Sequence, residues 1–168
     1  MHSIGELADA VATYVGRAAE KLRGQESLAG AVTVFIRTNP FSESERPYQK
    51  TLTLPLPEHS ADTRVLVKFA IKLLKLIYKP GFAYQKAGVM LSDIRPRGMA
   101  QTSLFAQNGN DLRSDRLMSL MDQVNERWGR GSMRVAAERA DHPWQMKRGY
   151  MSPRYSTDWD GLPKVIAK

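Results

Sequence analysis

The sequence contains no cysteine, which excludes disulfide bonds, thiolate metal sites and a cysteine nucleophile. It also has no apolar run of the ~18 residues that a membrane-spanning helix needs. The most apolar stretch, Val65 to Tyr78, is interrupted by Lys68, Lys72 and Lys75. We therefore expect a cytoplasmic protein without a membrane partner.

A catalytic constellation is also lacking. The three histidines, His2, His59 and His142, do not have the spacing of metal ligands. The carboxylates are scattered, whereas a two-metal phosphoryl-transfer site needs them to converge on ions ~4 Å apart. No glycine-rich loop resembles a nucleotide cradle. The sequence therefore predicts no catalytic residue, no metal site and no cofactor for this chain.

Positive charge is abundant. Lysine and arginine number 25 against 17 acidic residues, for a formal net charge of +8. Such an excess favours polyanionic partners, of which nucleic acid is the commonest, because binding releases condensed counterions. A basic but inert surface remains the alternative. Hydrophobic residues make up 42% of the chain, enough to form a core.

The pattern of apolar residues predicts an α+β fold. Helical spacing, strand alternation and turn residues give the order helix, strand, strand, helix, strand. The predicted elements are a helix over 3–24, strands over 28–38 and 48–56, a helix opened by Ser60, and a strand over 84–92. Two helices would cover one face of a small antiparallel sheet. The order is that of a split β-α-β fold without its first strand. We therefore expect an open sheet edge, and a Met1 that lies inside a once longer chain.

Three regions follow from this interpretation: a first domain over 1–94, a linker over 95–112 and a mostly helical C-terminal region over 113–168. The linker is polar and contains Pro96, Gly98 and Gly109. Ser114 to Trp128 has helical periodicity. Its predicted apolar face consists of Leu117, Leu120, Met121, Val124 and Trp128, with Met118 widening it.

A short apolar segment interrupts the linker. Its sequence is Gln101, Thr102, Ser103, Leu104 and Phe105. A Leu-Phe pair in a polar linker exposes apolar area unless it docks, and burying each side chain is worth roughly 1.5–3 kcal/mol. The segment is therefore a candidate docking peptide. The alternative is that Leu104 and Phe105 fold back onto their own domain, because short linear motifs often match by chance.

The outward positions of the predicted strands form a second candidate site. We expect its phosphate-binding residues to be Arg37, Thr38, Lys50 and Lys86. Such side chains position a nucleic-acid backbone without reading bases. An ordinary solvated face of an antiparallel sheet is the alternative.

Several segments, in this order, resemble one known family. They are Arg17 to Arg23, Phe35 to Phe41, Tyr84 to Leu91, Ala100 to Phe105, Trp144 to Arg148 and Met151 to Thr157. Together they are similar to the C-terminal part of the UmuC-like, Y-family translesion DNA polymerases, which include the polymerase subunit of bacterial DNA polymerase V. The resemblance covers nearly the whole chain.

The resemblance implies a little-finger domain that grips template-primer DNA, followed by a sliding-clamp motif at Gln101 to Phe105. It further implies a tail that assembles with UmuD′ and RecA. Within that tail, the candidate partner-binding residues are Trp144, Gln145, Met146, Lys147 and Arg148. The family's palm, fingers and thumb are not represented, so its catalytic carboxylates and their Mg²⁺ belong elsewhere. The first little-finger strand is missing, and Thr102 replaces the usual Leu of the clamp motif.

Our first interpretation is a non-catalytic portion of an error-prone translesion polymerase that acts in SOS DNA repair and binds DNA and the clamp. A stand-alone regulator that binds the clamp or polymerase partners, or a remnant of a broken polymerase gene, is the alternative. A generic RNA-binding α+β domain is a third, weaker alternative, because only Phe35 lies near a base-stacking position on a central strand.

Overall fold

The computed structural model describes residues 1, 3–41, 46–99, 108–138 and 144 of the chain. These residues form three α-helices and three strands, which confirms the predicted α+β class. The elements are α1 (Ile4–Gly24), β1 (Ser27–Thr38), β2 (Gln49–Ser60), α2 (Thr63–Ile77), β3 (Tyr84–Pro96) and α3 (Asn108–Trp128). A single 3-10 turn, Arg97–Met99, follows β3.

The three strands form one antiparallel sheet in the order β2-β1-β3. β1 is therefore central, and Val34 pairs with Leu52 on β2 and with Val89 on β3. Val32, Val34 and Ile36 are fully buried in the core shared with α1 and α2. Since side chains alternate along a strand, the residues between them point to the opposite side of the sheet.

Capping residues fix the starts of α1 and α2. In α1, the Ser3 hydroxyl accepts a hydrogen bond from the Glu6 amide at 3.2 Å, as expected for a residue preceding a helix. The predicted start of the second helix at Ser60 is wrong, because β2 runs on to that residue. Asp62 caps α2 instead, where its carboxylate accepts from the Arg64 amide at 2.7 Å.

The far edge of β3 contacts the N-terminus. The Met1 ammonium donates to the carbonyl of Tyr84, and the Met1 carbonyl accepts from the Tyr84 amide, each at 2.9 Å. Among the described residues, this two-bond pair adds to the three-stranded sheet without forming a fourth strand. Met1 thus pairs with the edge of β3 at Tyr84.

The last helix begins earlier than its sequence pattern predicts, at Asn108 rather than Ser114. From residue 113 onward, where side chains are described, its buried apolar residues are Met118 and Met121, whereas Leu120 and Trp128 are more than half exposed. The predicted apolar face is therefore only partly correct. Ion pairs to α1 and to the 3-10 turn set the rotation of α3, and periodicity alone does not contain them.

Candidate nucleic-acid interface

The side of the sheet that faces away from α1 and α2 carries the exposed side chains of Phe35, Lys86 and Met90, and we call it the outer sheet face. Its side chains come from alternate positions of all three strands. They are Thr33, Phe35 and Arg37 on β1, Gln49, Thr51 and Thr53 on β2, and Lys86 and Met90 on β3, with Gly88 between the last two. The Thr33 and Thr53 hydroxyls are hydrogen-bonded across the strands at 2.8 Å.

Two predicted phosphate-binding residues lie directly opposite each other on this face. Arg37 of β1 and Lys86 of β3 are Cα partners in the sheet register. Neither has a salt bridge within the described part of the chain, and Lys86 is exposed. Like charges directly opposite each other destabilise a sheet. An anion between the two side chains would remove that penalty, so the pair is suited to a phosphate group.

The other two predicted residues do not share this site. Lys50 pairs with Ile36, and it therefore lies in phase with the core-facing residues of β2. Its predicted outward position is therefore wrong. Thr38 is only 1% exposed, and its hydroxyl accepts from the amide of Tyr48 at 2.8 Å. A buried side chain with this partner closes the turn between β1 and β2 and does not reach the surface.

The centre of the outer sheet face is apolar. The distal end of the Phe35 ring lies over Gly88, and a Cβ built on that glycine would come within 2.6 Å of the ring Cε1. Phe35 is nevertheless 38% exposed, and Met90 beside it is 57% exposed. The sequence reveals Phe35 as an outward residue but not its glycine neighbour, because the register that joins them depends on long-range pairing.

A histidine–aspartate contact spans the other end of the sheet. Nε2 of His59 lies 2.8 Å from Oδ2 of Asp93, and both atoms pack over Gly30 at an irregularity in strand pairing. Desolvation alone would raise the pKa of Asp93, but the hydrogen bond from His59 and the charge of Arg95 lower it below its usual value. From sequence spacing alone His59 has no predicted partner, because Asp93 lies 34 residues further along the chain.

Within the described ranges, no cluster of histidine and carboxylate side chains could hold a metal ion. The His59–Asp93 contact joins β2 to β3 across the central strand. In the same part of the chain, no helix is long and apolar enough to cross a membrane.

The predicted clamp segment, 101–105, lies outside the described residues, as do Gln145 to Arg148 of the predicted tail site. Trp144 is described, and its indole Nε1 donates to Oδ2 of Asp9 at 2.6 Å. Its ring lies 5.6 Å from that of Tyr14. Since Asp9 and Tyr14 both belong to α1, at least this residue of the tail packs on the first domain.

Two family models match the chain. Residues 1–104 match the impB/mucB/samB family C-terminal domain, and this range includes the whole sheet. Residues 115–165 match a domain of unknown function, DUF4113, which includes most of α3.

Individual relatives agree with the family match. UmuC of Salmonella typhimurium strain LT2 is 38% identical over 95% of this chain and 38% of its own length. ImpB of Salmonella typhimurium is 38% identical over 92% of this chain and 36% of its own length. MucB of Escherichia coli is 34% identical over the full chain and 39% of its own length. The chain thus spans about two-fifths of these relatives, and it belongs to the impB/mucB/samB family as a UmuC-like C-terminal part.

Proposed function

We propose that this chain is the non-catalytic C-terminal portion of a UmuC-like translesion DNA polymerase, and that its outer sheet face binds the DNA backbone. The observation that carries the proposal is the cross-strand pair of Arg37 and Lys86 on the outer sheet face, where Lys86 is exposed. Family membership and the net charge of +8 both support it. Cationic side chains at this position would contact phosphates without reading sequence.

The proposed binding is electrostatic, so it should weaken steeply as salt rises. Each phosphate contact contributes about one to the slope of log affinity against log salt. Arg37→Ala and Lys86→Ala should therefore each reduce that slope by about one. Lys50→Ala is the matched control, because it removes the same charge from a position that is not on the outer sheet face.

Fluorescence anisotropy of the full chain with labelled primer-template DNA at two salt concentrations measures these slopes. A slope that Arg37→Ala and Lys86→Ala leave unchanged would contradict the proposal. Equal reductions in all three variants would also contradict it, because the effect would then follow net charge and not the site.

Clamp attachment is the second part of the proposed function. Gln101 to Phe105 lies between the 3-10 turn that follows β3 and the start of α3. A clamp-bound segment would hold the sheet near DNA and raise its local concentration there. The proposed cellular role is SOS translesion synthesis in the cytoplasm, with UmuD′ and RecA as candidate partners of the tail.

Catalysis would belong to other domains, together with any Mg²⁺. We therefore expect no nucleotide incorporation by this chain alone. A primer-extension assay with Mg²⁺ and all four nucleotides tests this expectation. Template-dependent synthesis by the purified chain would overturn it.

A further inference from the structure

Phe35 lies on the outer sheet face next to the cationic pair. An exposed aromatic ring in that position leaves apolar surface in contact with water, which is unfavourable unless the ring binds a partner. Its ring is supported from one side by the backbone of Gly88, which has no side chain to displace it. Met90, on the same face of β3, extends the apolar surface diagonally from the ring. This arrangement leaves 38% of Phe35 accessible from solvent.

Phe35 and Arg37 are two positions apart on β1, so their side chains leave the sheet about 6.5–7 Å apart on one side. An aromatic surface beside a cationic pair suits the two parts of a nucleotide, a base and its phosphate. Proteins bind single strands in this way, with bases stacked on aromatic rings and cations along the backbone. In a duplex the base faces are already stacked on each other.

We propose that the outer sheet face carries a single-nucleotide stacking site for unpaired DNA, in which Phe35 stacks on a base and Arg37 with Lys86 holds the adjoining phosphate. This inference rests on the proposed DNA-binding function and adds a preference for single-stranded over duplex DNA. Gly88 is the positioning residue, because any side chain there would push the ring away from the sheet.

The test compares binding of oligothymidylate and of a blunt duplex to the full chain by fluorescence anisotropy. Phe35→Leu keeps apolar bulk and so protects the fold, but it removes the stacking surface. We expect it to weaken oligothymidylate binding by roughly five- to tenfold, the lower part of the range for one stacked base. Duplex affinity and the salt slope should not change, and Phe35→Trp should retain the affinity for oligothymidylate.

Two further variants sharpen the test. Gly88→Ala should weaken oligothymidylate binding while leaving the aromatic ring in the protein. Leu76→Ala is the control, because it removes an apolar side chain that is 65% exposed on α2, which packs on the opposite face of the sheet. It should bind both DNAs as the wild type does.

Oligothymidylate binding by Phe35→Leu equal to that of the wild type, or an equal loss on duplex DNA, would overturn the stacking site. If Arg37→Ala and Lys86→Ala still lower the salt slope in that case, the proposed DNA-binding function stands and only the stacking site fails. If the wild-type chain binds neither DNA, both fail.

Discussion

Arg23 on α1 and Asp122 on α3 form a two-pronged ion pair, in which two guanidinium nitrogens each lie 2.6 Å from a different carboxylate oxygen. The third nitrogen donates to the carbonyl of Ala61 at 2.8 Å and to the hydroxyl of Thr63 at 2.9 Å. The Arg23 side chain, only 9% exposed, therefore links α1 both to α3 and to the start of α2. This contact connects the two regions that match different families.

Asp122→Ala should destabilise the chain, because it leaves the nearly buried Arg23 without its charged partner. We expect a loss of about 1.5–3 kcal/mol in the free energy of unfolding, measured by urea titration. Arg130→Ala is the control. It removes an 81% exposed partner of Glu20 at 3.5 Å, and such exposed pairs contribute little. Equal effects of the two substitutions would show that the Arg23–Asp122 pair does not hold α3.

Trp144→Phe should also lower stability, because it removes the indole donor to the buried carboxylate of Asp9 while keeping an aromatic ring near Tyr14. A hydrogen bond to a charged group contributes roughly 1.5–3 kcal/mol. Trp128→Phe changes a residue that is 64% exposed and should have little effect. Thermal unfolding of both variants measures the difference. Unchanged stability in Trp144→Phe would show that the hydrogen bond from Trp144 to Asp9 does not stabilise the fold.

The carboxylate of Asp62 should make stability depend on pH. Burial alone would raise its pKa, but hydrogen bonds from Arg64 and Ser114 outweigh burial and hold the pKa below the usual value of 3.8. A lowered folded-state pKa means that the stabilisation is present above about pH 4 and is lost as the pH falls below it.

Asp62→Asn keeps a helix-capping oxygen and removes the charge. We expect it to be about 1 kcal/mol less stable at neutral pH, a modest value because Arg64 is half exposed. Thermal unfolding at neutral pH and at stepwise lower pH should show the gap narrowing as the pH falls below about 4, because the unfolded carboxylate then binds a proton more readily than the folded one. A gap that stays constant across this range would contradict the assignment.

The clamp prediction concerns Leu104 and Phe105. Replacing both with Ala should weaken binding of a peptide spanning 99–107 to the purified clamp by about a hundredfold or more, since two apolar anchors are lost. Thr102→Leu should tighten binding modestly by restoring an apolar contact. Calorimetry with a scrambled peptide as control measures both. Equal affinity of the double variant would reassign Leu104 and Phe105 to packing within their own domain.

The local pattern of the sequence determined the helices, the strands and the α+β class. Ser3 with Glu6 predicts the start of α1, and the alternation around Val32, Val34 and Ile36 predicts β1 with its buried side. These features depend on residues that are near in the chain, where propensity and periodicity act directly. The segments that resemble the family can likewise be identified from the sequence, because a motif is defined by the order of its residues.

Only the tertiary structure decided which side chains meet. Thr38 carries the right chemistry for a phosphate contact, yet burial removes it from the surface. Strand alternation alone already excludes Lys50, which lies two residues from the core-facing Leu52. Phe35 acquires its support from Gly88, and Arg23 its partner from α3, through pairings far apart in sequence. A shift of one residue in strand register would reverse every side chain to the opposite face. Long-range pairing, which local pattern does not encode, therefore determined the composition of the candidate site.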